Sequence, residues 1–290
     1  MGARALLPEA KSRARSVEGG SPVSDNDMFR ALGFHWDRHD AMRPVDTASA
    51  GEVLADFDRG MAGHVWAAAV LEGNPFTYPE VQTLLDGVTV GGHKVSDAQQ
   101  ILRLRDGYAL LRDTVASGAF TLNKAISDAI HEAIATGEAL ESGHFRGEGV
   151  ATSDVTVNLG ERGTHFPPRT QAGGANLSTL FSSGLHALEA CDTPFEKAAA
   201  YFLFAADNRF YVGGNKRTAR AMMNGLLLAA GAHAVLVPAQ AREEFNETMR
   251  DFYADRDATA VMALLGSCGP RVNETRDRLV QINRTLRTDG

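Results

Sequence analysis

The chain reads as mainly α-helical with one β-hairpin, and two observations carry that reading. Apolar residues recur at three- and four-residue spacing along Asp97–Val115, Leu122–Ala135 and the run from Met222 to Leu228, with cap residues and glycines between them. Alternation is confined to Val155, Val157 and Leu159, ahead of a Gly160–Gly163 turn. No internal repeat and no sharp linker interrupts the chain between Asp46 and Ser267.

Taken in order, His35 and His39 have the spacing that would share a helix face, where they could hold a metal or be a surface coincidence. Pro44 breaks that segment. Val53–Leu71 is expected as a helix stopped by Gly73, Asn74 and Pro75. Glu72 falls in its last turn, against the negative end of the dipole, so it calls for a cation or lies on the surface. Thr77 with Glu80, and Ser96 with Gln99, have capping-box spacing. His131, alone on the second helix after them, is read as structural. A helix over Asn176–Ala190 follows the hairpin, and Thr193, Pro194 and Glu196 then start another that runs to Ala206. Gly231 closes the helix that contains Met222. Val235–Val237 is extended, Glu243–Ala254 and Thr259–Leu265 are helices, and amphipathic Thr275–Leu286 is a terminal packing or dimer-forming helix.

The net charge of −7 over 290 residues argues against a nucleic-acid coat. Cys191 and Cys268 have neither disulfide-framework nor zinc spacing, and no run reaches the length of a membrane span. The N-terminus has arginines but no signal-peptide core. These features lead us to expect a cytoplasmic protein, disordered over residues 1–24, with no nucleic-acid or membrane partner.

The stretch Arg209–Arg220, RFYVGGNKRTAR, combines adjacent glycines with three cations at a helix start. Free backbone N–H groups and the dipole make that a poor place for cations unless an anion is bound. Glycines let a phosphate approach the backbone, and Arg217 and Arg220 lie three residues apart on one side of the helix. A phosphate site is one reading. An ordinary loop–helix junction, its basic residues solvated or paired with Asp and Glu, is the other.

The stretch resembles the core motif of Fic-domain (Fido) proteins, HxFx(D/E)GN(G/K)RxxR. Gly214, Asn215, Lys216, Arg217 and Arg220 match it without a gap. Gly213 stands where that family has an acidic metal ligand, Tyr211 where it has Phe, and Arg209 where it has the catalytic His. The segment VLEGN resembles the family's inhibitory (S/T)xxxE(G/N) segment, with Glu72 in place and Ala68 at the Ser/Thr position. The hairpin, preceded by GHFR and followed by FPP, resembles the family's flap.

The resemblance implies a Fic/Fido helical bundle with one β-hairpin flap. Its parts would be a regulatory helical region over 25–140, a core with flap and motif loop over 141–267, and a C-terminal helix over 268–290. It implies ATP or another nucleotide as ligand, held at Gly213, Gly214, Asn215, Lys216, Arg217 and Arg220. Mg²⁺ would lack its usual ligand. Glu72 would pair with Arg220 as an inhibitor, a protein target would bind at Thr164, His165 and Phe166, and a homodimer would form.

AMP transfer needs a base, and a guanidinium at position 209 cannot be one. Three readings follow. The chain binds a nucleotide or other phosphate ligand with weak or no catalysis; or it is an active AMP transferase using another base, Asp207 or His165; or it moves a different phosphate-containing group.

Overall fold

The computed structural model describes residues 24–39 and 47–268. Thr275–Leu286, Pro44 and the first 23 residues of the expected disordered start lie outside them. Among the described residues the chain is a helical bundle with one two-stranded antiparallel sheet.

Local caps start several of the helices. Helix α1 (Asp25–Leu32) is capped by Ser24 and ends at Gly33, whose φ of 82° is left-handed. That ending removes the shared helix face considered for His35 and His39: beyond Gly33 the chain is not helical, His35 forms a bridge with Asp257, and His39 lies in a turn. The expected helix Val53–Leu71 is two, α2 (Ala50–Arg59) and α3 (Met61–Leu71). Gly60 ends the first and begins the second, and a Ser49–Glu52 capping box starts α2 three residues early. The Thr77–Glu80 box is present at the head of α4 (Tyr78–Leu85). The Ser96–Gln99 box is not: α5 (Val95–Ala116) has Lys94 at its N-cap, so Ser96 already lies inside the first turn.

Helix α6 (Lys124–Ala135), capped by Asn123, packs along α5. Strands β1 (Val157–Asn158) and β2 (Thr164–His165) form the hairpin, with Leu159 N–H donating to Gly163 O across the turn. Helix α7 (Ala175–Ala187) runs into a short 3₁₀ turn, Leu188–Ala190.

The core is built around α8 (Pro194–Asn208) and α9 (Asn215–Ala229), which pack against each other. Every residue of α8 from Ala198 to Asn208 is buried, as expected of a helix apolar on all faces and enclosed by others. Its Glu196 is fully buried, and the Thr193 hydroxyl accepts from Glu196 N–H as the sequence predicts. The Glu196 carboxylate reaches outward, accepting from Trp36 Nε1, Arg38 Nε and Asp192 N–H. Helices α10 (Arg242–Asp255) and α11 (Thr259–Cys268) close the bundle, and one apolar cluster runs from Met28 to Leu265. Thus the helices before the hairpin and those after it share a core.

Candidate functional site

The loop between α8 and α9 is set by its own backbone bonds. Arg209 ends α8 in the left-handed region, φ 46°, a strained choice for a side-chain-bearing residue. The Asn215 amide then staples the loop, its Oδ1 accepting from Tyr211 N–H at 2.9 Å and its Nδ2 donating to Tyr211 O at 2.7 Å. Asn215 therefore shapes the loop with the atoms that could have met a ligand. Tyr211 fills the place of a phenylalanine, and its extra hydroxyl is satisfied by Asp128 and Ser127, each at 2.8 Å.

Gly214 joins loop to helix with φ 67°, and a Cβ there would meet the Ala135 methyl at 3.0 Å and His131 Nε2 at 3.2 Å. Both backbone and space demand glycine. Gly213 has no positive φ, and a Cβ would meet that of Ala139 at 3.2 Å, a contact that only a backbone shift of a few tenths of an ångström in the 136–143 turn relieves.

His131, buried and stacked on Tyr211 at 3.7 Å, bridges two segments. Its Nε2 lies 2.9 Å from Gly213 O, and its Nδ1 accepts from Gly143 N–H at 2.9 Å. Burial, which disfavours the charged ring, pushes its pKa down to about 4. The ring is neutral at pH 7, so Nε2 carries the proton and donates to the loop.

The three cations do not converge on one partner. Arg220 donates through Nη2 to Glu72 Oε1 at 2.8 Å and to Ala68 O at 3.4 Å, while Lys216 Nζ stands 3.4 Å from Glu72 Oε2. The backbone carbonyl of Ala68 thus contributes where the side chain has no hydroxyl. Arg217 donates to Glu138 Oε2 at 2.7 Å. Pairing with carboxylates is what the junction alternative expects. Yet Arg217 Nη1 and Arg220 Nε and Nη1 are buried with no hydrogen-bond partner, in side chains 8% and 5% exposed. Such atoms call for an explanation, and a ligand is one.

Burial alone would raise the Glu72 pKa, but the charges of Arg220 and Lys216 outweigh it and hold the carboxyl at about 2. The folded pKa is lowered from 4.5, so the pair's stabilisation is complete above pH 4.5 and is lost as pH falls toward 2. We expect the difference in urea unfolding free energy between wild type and Glu72→Gln to be flat from pH 7 to 5. It should shrink below pH 4.5, and a constant difference down to pH 3 would exclude this assignment.

Arg209 points to the hairpin, donating to Thr156 O at 3.1 Å. His165 Nε2 lies 3.0 Å from Asp207 O and 3.1 Å from Asp207 Oδ1, with its ring stacked on Tyr253. Asp207, 4% exposed, is also held by Arg256 through Nη1 and, at 2.8 Å, Nη2. Thr164 is exposed, and Phe166 is 74% exposed. Arg162 at the hairpin turn pairs with Asp251 and Asp255 of α10, which ties the tip to the bundle. Position 213 offers a metal no side chain, and no group of three or more His, Cys, Asp or Glu among the described residues could hold one. The donor set does not fit a Mg²⁺ held by this loop. No helix among the described residues is long and apolar enough to cross a membrane.

Sequence reading missed Glu138, the bonds made by Arg146 of the GHFR stretch, and the contact His131 makes with the loop. Arg146 is fully buried in the segment before the hairpin. Its Nε donates to Arg209 O at 2.6 Å, Nη1 to Thr170 Oγ1 at 2.5 Å, and Nη2 to Asn208 O and Pro168 O at 3.1 and 3.0 Å. One side chain thereby joins the end of α8 to the segment after the hairpin.

The arrangement defines a helical protein with a glycine–asparagine–cation loop at a helix start and a hairpin beside it. Residues 121–227 match the family model described as Fic/DOC family, so that stretch of the chain carries a Fic-type domain. Protein adenylyltransferase Fic of Drosophila mojavensis is 24% identical over 192 residues, covering 64% of this chain and 36% of that protein. Its counterpart in Aedes aegypti is 26% identical over 193 residues, again 64% and 36%. This chain therefore spans little more than a third of the length of these relatives. A Fic family protein from Desulfovibrio desulfuricans G20 has a similar fold, with TM-score 0.61 and 19% identity over 82% of this chain and 77% of that one. Fic-1 (aa134–508) from C. elegans gives TM-score 0.58 and 14% identity over 92% and 74%.

Proposed function

We propose that the Gly213–Arg220 loop binds a nucleotide or another phosphate ligand, with weak or no AMP transfer, and that Glu72 restrains the site by occupying Arg220 and Lys216. The observation that carries this is the set of unpartnered buried guanidinium atoms on Arg217 and Arg220. A carboxylate supplies two oxygens to a cluster with more donors than that, and a phosphate chain supplies several. The relatives named protein adenylyltransferase support ATP as the first ligand to try. Catalysis is expected to be poor because Arg209 cannot take a proton and Gly213 cannot bind a metal.

Calorimetric titration of ATP and ADP, with and without Mg²⁺, tests this. Binding should strengthen in Glu72→Gly, by roughly tenfold or more if one charge-assisted contact is released, and vanish in Arg217→Ala. No binding to wild type or to Glu72→Gly would sink the proposal.

One contact favours a second reading. His165 sits against Asp207, and Asp207 is already held by Arg256, an arrangement that would fix an imidazole beside the end of α8. Under this reading His165 supplies the base through Nδ1 and the protein is an active, Glu72-restrained transferase. Label transfer from ATP by Glu72→Gly that disappears in Glu72→Gly with His165→Ala would select it; transfer unchanged by His165→Ala would discard it.

A further inference from the structure

We infer that Glu138 is a second carboxylate latch on this loop, holding Arg217 as Glu72 holds Arg220. The inference rests on the phosphate-binding reading above. Glu138 lies in the turn just after α6, on a different element from Glu72, and its Oε2 is 2.7 Å from Arg217 Nη2.

The two ends of this pair are unequal. Arg217 is 7% exposed and its Nη1 has no partner, so Glu138 satisfies only part of what the guanidinium offers. The Glu138 side chain is 26% exposed and can turn to water, whereas Arg217 is anchored in the core-facing helix α9. A phosphate that takes both amino groups of Arg217 competes with Glu138 for Nη2, and the closed pair lowers its apparent affinity.

Glu138 is also tied to the segment that carries Glu72. Gln100 Nε2 donates to Glu138 Oε2 at 3.2 Å, and Gln100 Oε1 accepts from Asn74 Nδ2 at 2.9 Å. Asn74 stands two residues after Glu72 and is fixed by its own bonds to Asp97 O and Phe76 N–H. A side-chain relay through Gln100 of α5 thus runs from the segment that follows Glu72 to the Glu138 carboxylate.

The test is calorimetric titration of ATP, and separately of inorganic pyrophosphate, into wild type, Glu138→Gln, Glu72→Gln and the double variant. Glutamine keeps the shape and removes the competing charge. Glu138→Gln should bind both probes roughly tenfold more tightly than wild type, and the double variant most tightly of the four. Glu138→Gln binding no tighter than wild type while Glu72→Gln gains would overturn the latch and leave the phosphate site standing. Binding by none of the four, the double variant included, would overturn the phosphate site and the latch together. Thermal unfolding supplies a second readout, since the substitution leaves Arg217 buried without its carboxylate. Glu138→Gln should melt below wild type without ligand and gain more from pyrophosphate than wild type does; an equal or smaller gain counts against the latch.

Discussion

Arg209→His combined with Gly213→Asp on the Glu72→Gly background is expected to raise AMP transfer at least ~10²-fold over Glu72→Gly alone, because it returns a proton acceptor to the loop. The backbone can take both changes. Arg209 is left-handed at φ 46°, a region histidine enters more readily than most residues, and its bond to Thr156 O is the contact given up. At position 213 no positive φ opposes a side chain, and the one close neighbour is the Ala139 methyl, which must yield by a few tenths of an ångström. The introduced carboxylate would again offer a metal a ligand in this loop. The measurement is label transfer from radiolabelled ATP to the protein itself and to a lysate. A variant that binds ATP by calorimetry yet transfers nothing would mean that the loop, and not only its two substituted side chains, has lost the reactive geometry.

The second large effect is on stability. Arg146→Met should cost about 3–5 kcal/mol, because it leaves three carbonyls and the Thr170 hydroxyl without their buried donor. Two of those carbonyls, on Asn208 and Arg209, belong to the end of α8. The damage therefore falls on the residues that lead into the Gly213–Gly214 loop. Lysine should rescue little, since an ammonium cannot reproduce the fork that spans these acceptors. A midpoint drop on the order of ten degrees is expected for a chain of this size. Unfolding by heat and by urea measures it, and a loss under about 1 kcal/mol would mean that water replaces the guanidinium, contrary to its complete burial.

Some of this protein was legible in its sequence. Thr77 with Glu80 and Thr193 ahead of Pro194 announce helix starts because a cap is a bond between residues three apart, and the same locality explains the hairpin turn at Gly160–Gly163. Local signals also compete: Ser96 has cap spacing, but α5 begins one residue before it, and Gly60 divides what periodicity reads as one helix. The pairing of Glu72 with Arg220, 148 residues apart, could be foreseen only through a motif resemblance.

What the sequence by itself determined is the inventory of the loop: its glycines, its asparagine, its cations, and the lack of a histidine at 209 and a carboxylate at 213. Tertiary structure alone decided which carboxylates meet those cations. Glu138 approaches Arg217 across 79 residues, Asp207 is taken by Arg256 and His165, and Arg146 is spent on the end of α8. None of these pairings has a spacing to betray it. Their partners sit in turns or on different helices, and where such side chains meet is fixed by packing around α8 and α9, to which helices from both sides of the hairpin contribute.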